Sequence, residues 1–196
     1  MGYSNYKNLR KVVDTFGIEV KQGILFEAID PIEPSDWLLK TLEIASIIPL
    51  SNEKVKSERV ISPILSEVHL HYQERLTLFS GAELNVNSKL DLNGPCDFFF
   101  ANVPKAYLLE APIVALTEAK NEDMDYGIAQ CCAQMIAAQI FNEQGNTPTP
   151  IIWGCSTTAA EWKFLRLENK LLTVDEKSYF TNSLEDLLGV FKLILN

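Results

Sequence analysis

Positive charge is scarce in this sequence. Lys and Arg together number 17 against 26 Asp and Glu, which leaves a formal charge of −9 with both histidines neutral. Nucleic acid is usually held through clustered Lys and Arg, so a broad phosphate-binding face is not expected. Long apolar runs are missing too. None approaches the ~18 consecutive apolar residues of a membrane helix, and the N-terminal MGYSNYKNLRKVVD alternates charged and apolar groups where a leader peptide would carry an apolar core. A cytoplasmic protein without a membrane partner is therefore expected. The four cysteines, Cys96, Cys131, Cys132 and Cys155, contain no C-x-x-C pair and read as buried thiols. The two histidines, His69 and His71, fall on a helical stretch where i and i+2 point about 200° apart, so they do not share one ion. Repeats, heptads and low-complexity tracts are also absent.

What is present is core material. Hydrophobic residues make up 47% of 196, enough for one sizeable core. Leu9, Val12, Val13 and Phe16 form one apolar stripe, predicting an amphipathic helix over 5–16 that Gly17 ends. GIEVKQGILF has short stretches compatible with extended chain, Pro31 and Pro34 mark a loop, and Ser35 caps a helix through DWLLKTLEIAS. Residues 1–50 read as a helical extension and 51–196 as the main domain. From Asn52 the period is helical, with Val60, Ile64, Val68 and Tyr72 at i+4 spacings. Pro63 interrupts it, either as the first residue of a second helix capped by Ser62 or as a kink.

LTLFSGAELNVN and DFFFANV read as strands on either side of the turn-prone LNGPC, and IVALTEAK (113–120) as a strand central to a sheet. DMDYGIAQCCAQMIAAQIFNEQG is helical up to Gly145. PIIWGCS, EWKFLRL and KLLTV are further strands, and Ser183 with Asp186 suggests a capping box on a closing helix. Trp153, Trp162, Phe164 and Phe98–Phe100 are assigned to packing, since strand aromatics are more often core than stacking platforms. The fold class is α/β (α+β), a mixed central sheet flanked by helices.

Within 113–120 side chains alternate, so Glu118 and Lys120 share a face about 6.8 Å apart along the strand. A carboxylate and an ammonium closing an apolar strand are costly to desolvate, and they either pair with each other or bind something. An acid two residues before a lysine is common here: Glu19–Lys21, Glu161–Lys163, Glu168–Lys170 and Asp175–Lys177 share the spacing. Context separates Glu118–Lys120, which follows the Asp97-bearing strand and runs into a helix that carries Gln130.

Gly94-Pro95-Cys96-Asp97, then Glu118-Ala119-Lys120, preceded by the helix Ser57-Glu58-Arg59-Val60-Ile61-Ser62-Pro63-Ile64-Leu65, resembles the PD-(D/E)XK nuclease superfamily over roughly residues 53–168. It is similar to the nuclease modules of type I restriction R subunits and to small stand-alone bacterial members. One departure is that Cys96 stands between Pro95 and the aspartate. The resemblance implies a restriction-endonuclease-like core and a metal-dependent nuclease acting on DNA. In that family's terms Asp97 and Glu118 would hold Mg²⁺ or Mn²⁺, and Lys120 would position or activate the attacking water. Glu58, or Glu53 five residues earlier, would be the acid from the first helix. Gln130, ahead of Gln134, would be the glutamine of the following helix. A homodimer is a further state that the resemblance allows. The rival reading is a non-catalytic scaffold or partner-binding protein on the same fold, and another is a hydrolase of a different phosphate ester. With so few basic residues, DNA binding is expected to be weak, salt-sensitive or partner-assisted.

Overall fold

The computed structural model describes residues 2–196. The chain runs α1 (Leu9–Phe16), β1 (Glu19–Gly23), α2 (Asp36–Ser46), α3 (Glu53–Lys56), a π-turn (Ser57–Ile61) and α4 (Ser62–Tyr72). Then come β2 (Thr77–Glu83), β3 (Pro95–Ala101), β4 (Ile113–Ala119), α5 (Met124–Gln144), β5 (Ile151–Thr157), β6 (Glu161–Glu168), β7 (Leu171–Asp175), β8 (Tyr179–Phe180) and α6 (Leu184–Leu195). Eight strands form one mixed sheet in the order β1-β7-β6-β5-β4-β3-β2, with β8 added on β6. The β4–β5 and β1–β7 pairs are parallel and the others antiparallel. The architecture is therefore α/β with a mixed sheet. Among the described residues no helix is long and apolar enough to cross a membrane.

Strand alternation divides the apolar side chains between two cores. Phe98, Phe100, Ala115 and Ala119 point to the face covered by α2, α4 and α6, while Phe99 and Leu116 point to the face covered by α5. Helix α5 is buried nearly all round, because α1 packs on its outer side through Val12. Its small residues let it lie close on the sheet. At Gly154 of β5 an added Cβ would stand 2.4 Å from Met135 Sδ and 2.8 Å from Cys131 Sγ, so the helix would have to lift. The four cysteines are buried free thiols, and Trp162, Phe164 and Phe98–Phe100 are buried core.

Several local expectations change. The first fifty residues supply β1, which pairs with β7, and place Tyr3, Tyr6, Val12 and Ile18 in the α5 core and Leu38 in the other. Residues 1–50 thus contribute side chains to both cores and one strand to the sheet. The α1 helix opens later than expected, at an Asn8 cap whose side chain accepts from Lys11 N, and it ends at Gly17 with φ 61. Ser62 caps nothing. The helix runs on from Glu53 to Tyr72 through the π-turn, with Ser62 N donating to Ser57 O, and the wider turn sits just before Pro63, whose ring nitrogen has no hydrogen to donate. Ser183 stands at the N-cap of α6 but makes no side-chain cap bond, so no capping box with Asp186 forms. His69 Nε2 lies 2.9 Å from the carbonyl of Leu76, a structural bond.

Candidate active site

The site is made where β3 and β4 run out beside the start of α5. Antiparallel pairing of Phe98 with Thr117 sets Asp97 opposite Glu118, and strand alternation turns both toward the α5 face. Asp97 Oδ2 accepts from the backbone N–H of Ala119 at 2.8 Å, which ties its carboxylate to the end of the neighbouring strand. Lys120, one residue beyond β4, donates from Nζ to Glu118 Oε1 at 2.6 Å. Gln134 of α5 donates from Nε2 to Glu118 Oε2, also at 2.6 Å. Glu53 of α3 reaches in from the other layer, its Oε2 lying 3.9 Å from Lys120 Nζ.

Close approach of α5 fixes the lysine stem. A Cβ at Gly127 would fall 2.1 Å from Ser156 Oγ and 2.8 Å from Lys120 Cγ, so only glycine allows this packing. Lys120 Nζ also lies 5.3 Å from the centroid of the Tyr126 ring, whose hydroxyl donates to the carbonyl of Ser4 at 3.1 Å. Asp123 caps α5 by accepting from Tyr126 N.

Glu118 is 4% exposed and Lys120 8% exposed, so water does little to screen them. Burial, and next the neighbouring Asp97, push the Glu118 carboxyl up to about 7 despite the bonds from Lys120 and Gln134. Burial likewise raises Asp97, opposed by the Ala119 N–H and by Lys120 and reinforced by Glu53. For Lys120 burial works against the charge, but Glu118 first, then Glu53 and Asp97, outweigh it and hold the ammonium above its usual range. Lys120 is accordingly a cation at neutral pH. Three carboxyl groups face that one ammonium.

Of the residues named from sequence, Asp97, Glu118, Lys120 and Gln130 line one cavity of about 490 Å³, together with Glu53 and Gln134. Glu58 does not join them: its partner is Lys54 at 3.9 Å on the outer helix surface, and it lines a second cavity of about 420 Å³ that shares Asp97 and Glu53 with the first. Gln130 is buried at the cavity wall with Oε1 unpartnered, whereas Gln134 makes the bond to Glu118. Helical spacing of four residues put both amides on one face, and that was the signal for Gln134. Gly2, Tyr3 and Ser4 also line the cavity, a wall that nothing in the sequence announced. A larger cavity of about 700 Å³ near α2 contains none of these acids.

Among the described residues no group of three or more His, Cys, Asp or Glu forms a ready-made metal cage. The donor set nonetheless suits a hard cation. Asp97 and Glu118 offer carboxylate oxygens, burial first and then a neighbouring carboxylate disfavour their charged forms, and Gln130 Oε1 is an orphaned buried acceptor beside them. No protein-family model matches the sequence, and comparison with curated proteins finds no match.

Proposed function

We propose that the chain is a metal-dependent nuclease that hydrolyses phosphodiester bonds in DNA on a restriction-endonuclease-like core. The observation that carries this reading is the convergence of Asp97, Glu118 and Lys120 on one sheet face at the open end of β4, in a cavity walled by two buried glutamines. Asp97 and Glu118 would hold Mg²⁺ or Mn²⁺, which supplies Lewis acidity at the phosphoryl oxygen and lowers the pKa of water.

The chain's own residues do the rest. Lys120 keeps its proton and places positive charge beside the phosphorus as negative charge builds on the phosphoryl oxygens. Gln134 fixes the second oxygen of Glu118, and the Ala119 N–H fixes Asp97. Water adds its oxygen to phosphorus, one P–O ester bond breaks, and the departing alkoxide takes up the proton that the water gives up. Glu53 opposite helps to hold the Lys120 head. The decisive experiment is a cleavage assay with Asp97→Ala and Lys120→Ala. Both should lose Mg²⁺-dependent cleavage with the fold intact, and retained cleavage sinks the reading.

One observation favours a non-catalytic scaffold or partner-binding role instead. Both Glu118 oxygens are bonded by side chains of the protein itself, so the network closes without a ligand. Calorimetric titration of Mg²⁺ and Mn²⁺ separates the two readings: no binding to the wild type selects the scaffold.

A further inference from the structure

The two cavities that share Asp97 and Glu53 lie on either side of the acid that would hold the metal. At about 420 and 490 Å³ each falls within the range that takes a small organic group. Their linings are polar but not basic. Glu53, Glu58, Asp97 and Glu118 stand against only Lys54 and Lys120. Duplex DNA brings one negative charge per ~1.7 Å of axis and a single strand half that density, so this groove penalises the duplex far more.

The walls also demand hydrogen bonds. Gln130 and Gln134, 6% and 1% exposed, line the first cavity and each has a buried Oε1 without a partner, and acceptors of this kind need a donor. Unpaired bases carry free amino and imino donors on the edges that a duplex has already used for pairing. In the second cavity Ser57, Ser62 and Ser80 offer hydroxyl groups suited to sugar and base edges.

We infer that the substrate is a single-stranded phosphodiester with one nucleoside seated in each cavity and the scissile phosphate at Asp97, and that duplex DNA is excluded. This rests on the hydrolytic reading above. Hydrolysis then leaves one nucleoside carrying the phosphate and releases the other as its alcohol, with the oxygen of water on phosphorus and its proton on the alcohol.

The test compares three probes in Mg²⁺ and in Mn²⁺: a dinucleoside monophosphate, a single strand of about twenty nucleotides, and the same strand in duplex. The expected result is that the dinucleotide and single strand are hydrolysed with kcat/KM values within about tenfold of each other and the duplex at least about a hundredfold more slowly. A duplex rate within about tenfold of the single-strand rate overturns the inference and leaves the nuclease reading standing. No hydrolysis of any probe removes both. Ser80→Trp and Ser4→Trp place bulk on exposed positions at the two cavities, and each should raise KM for the dinucleotide by about tenfold with the melting temperature unchanged. An unchanged KM in both folded variants overturns the two-cavity seating.

Discussion

Two strands of this sheet carry near their C-terminal end a buried acid followed two residues later by lysine: β4 at Glu118-Ala119-Lys120 and β7 at Asp175-Glu176-Lys177. At β7 the acid is closed by neutral donors. Asp175 Oδ1 accepts from Lys177 N at 3.1 Å and Leu25 N at 3.4 Å, and Oδ2 accepts from the Tyr179 hydroxyl at 3.2 Å. Its lysine stays in solvent, and the ammonium that comes near is that of Lys163, which donates to the carbonyls of Asp175, Glu176 and Lys177. At β4 the acid meets its own lysine, an amide and a second carboxylate. The same spacing thus yields a strand-to-loop brace in one place and a charge-frustrated cavity in the other. What differs is the company: a buried acid surrounded by neutral N–H and O–H groups is complete, while two acids sharing one ammonium leave room for another cation.

The two strand ends should differ most in chemistry. Lys120→Ala and Asp97→Ala are expected to lower Mg²⁺-dependent cleavage by about a hundredfold or more, whereas Asp175→Asn leaves it near the wild-type rate. Equal losses in all three variants would erase the distinction. The next effect is on stability. Glu118 titrates near 7 in the folded chain against an ordinary value of 4.5, so the native state holds this proton longer than the unfolded chain does. The associated stabilisation is complete below about pH 4.5 and is lost as pH rises through 7, at most roughly 3 kcal/mol, less what Lys120 returns. Glu118→Gln cannot titrate. Denaturant melts from pH 4.5 to 8 should show a steeper decline for the wild type than for this variant, and parallel curves would contradict the assignment.

Much of this site was legible because strand alternation is a strict rule. Once 113–120 is a strand, Glu118 and Lys120 must share a face, and a preceding strand that bears Asp97 can pair so as to bring the acids together. Helix positions were harder, for reasons of phase. Glu53 and Glu58 are five residues apart, about 140° around an ordinary helix, so one orientation of the helix faces only one of them inward. The π-turn that begins at Ser57 accompanies a proline whose effect was foreseen only as a cap or a kink. Gln130 and Gln134 share a face, and choosing between them needs the rotation and height of α5 on the sheet, which Gly127 and Gly154 set through contacts distant in sequence. β1 falls inside GIEVKQGILF, which the sequence marks only as compatible with extended chain. Its residues are mostly exposed, so it shows little apolar alternation and is specified by its partner β7.

Smaller effects sharpen the contrast. Asp175→Ala leaves the Tyr179 hydroxyl and the amides of Leu25 and Lys177 without their acceptor, and should cost about 2–3 kcal/mol in chemical denaturation while leaving Mg²⁺ binding unchanged. At β4 the smallest expected effect belongs to Tyr126. Its ring faces Lys120, while its hydroxyl holds the carbonyl of Ser4 at the cavity wall. Tyr126→Phe keeps the ring and loses only a solvent-exposed bond, so its melting curve should match the wild type closely. Tyr126→Leu removes the ring from the ammonium, worth about 0.5–1 kcal/mol, and that loss should appear as a lower titration point for Lys120 measured by NMR of its side-chain resonances. If Tyr126→Phe and Tyr126→Leu shift Lys120 equally, the bond to Ser4 positions the lysine and the ring face does not.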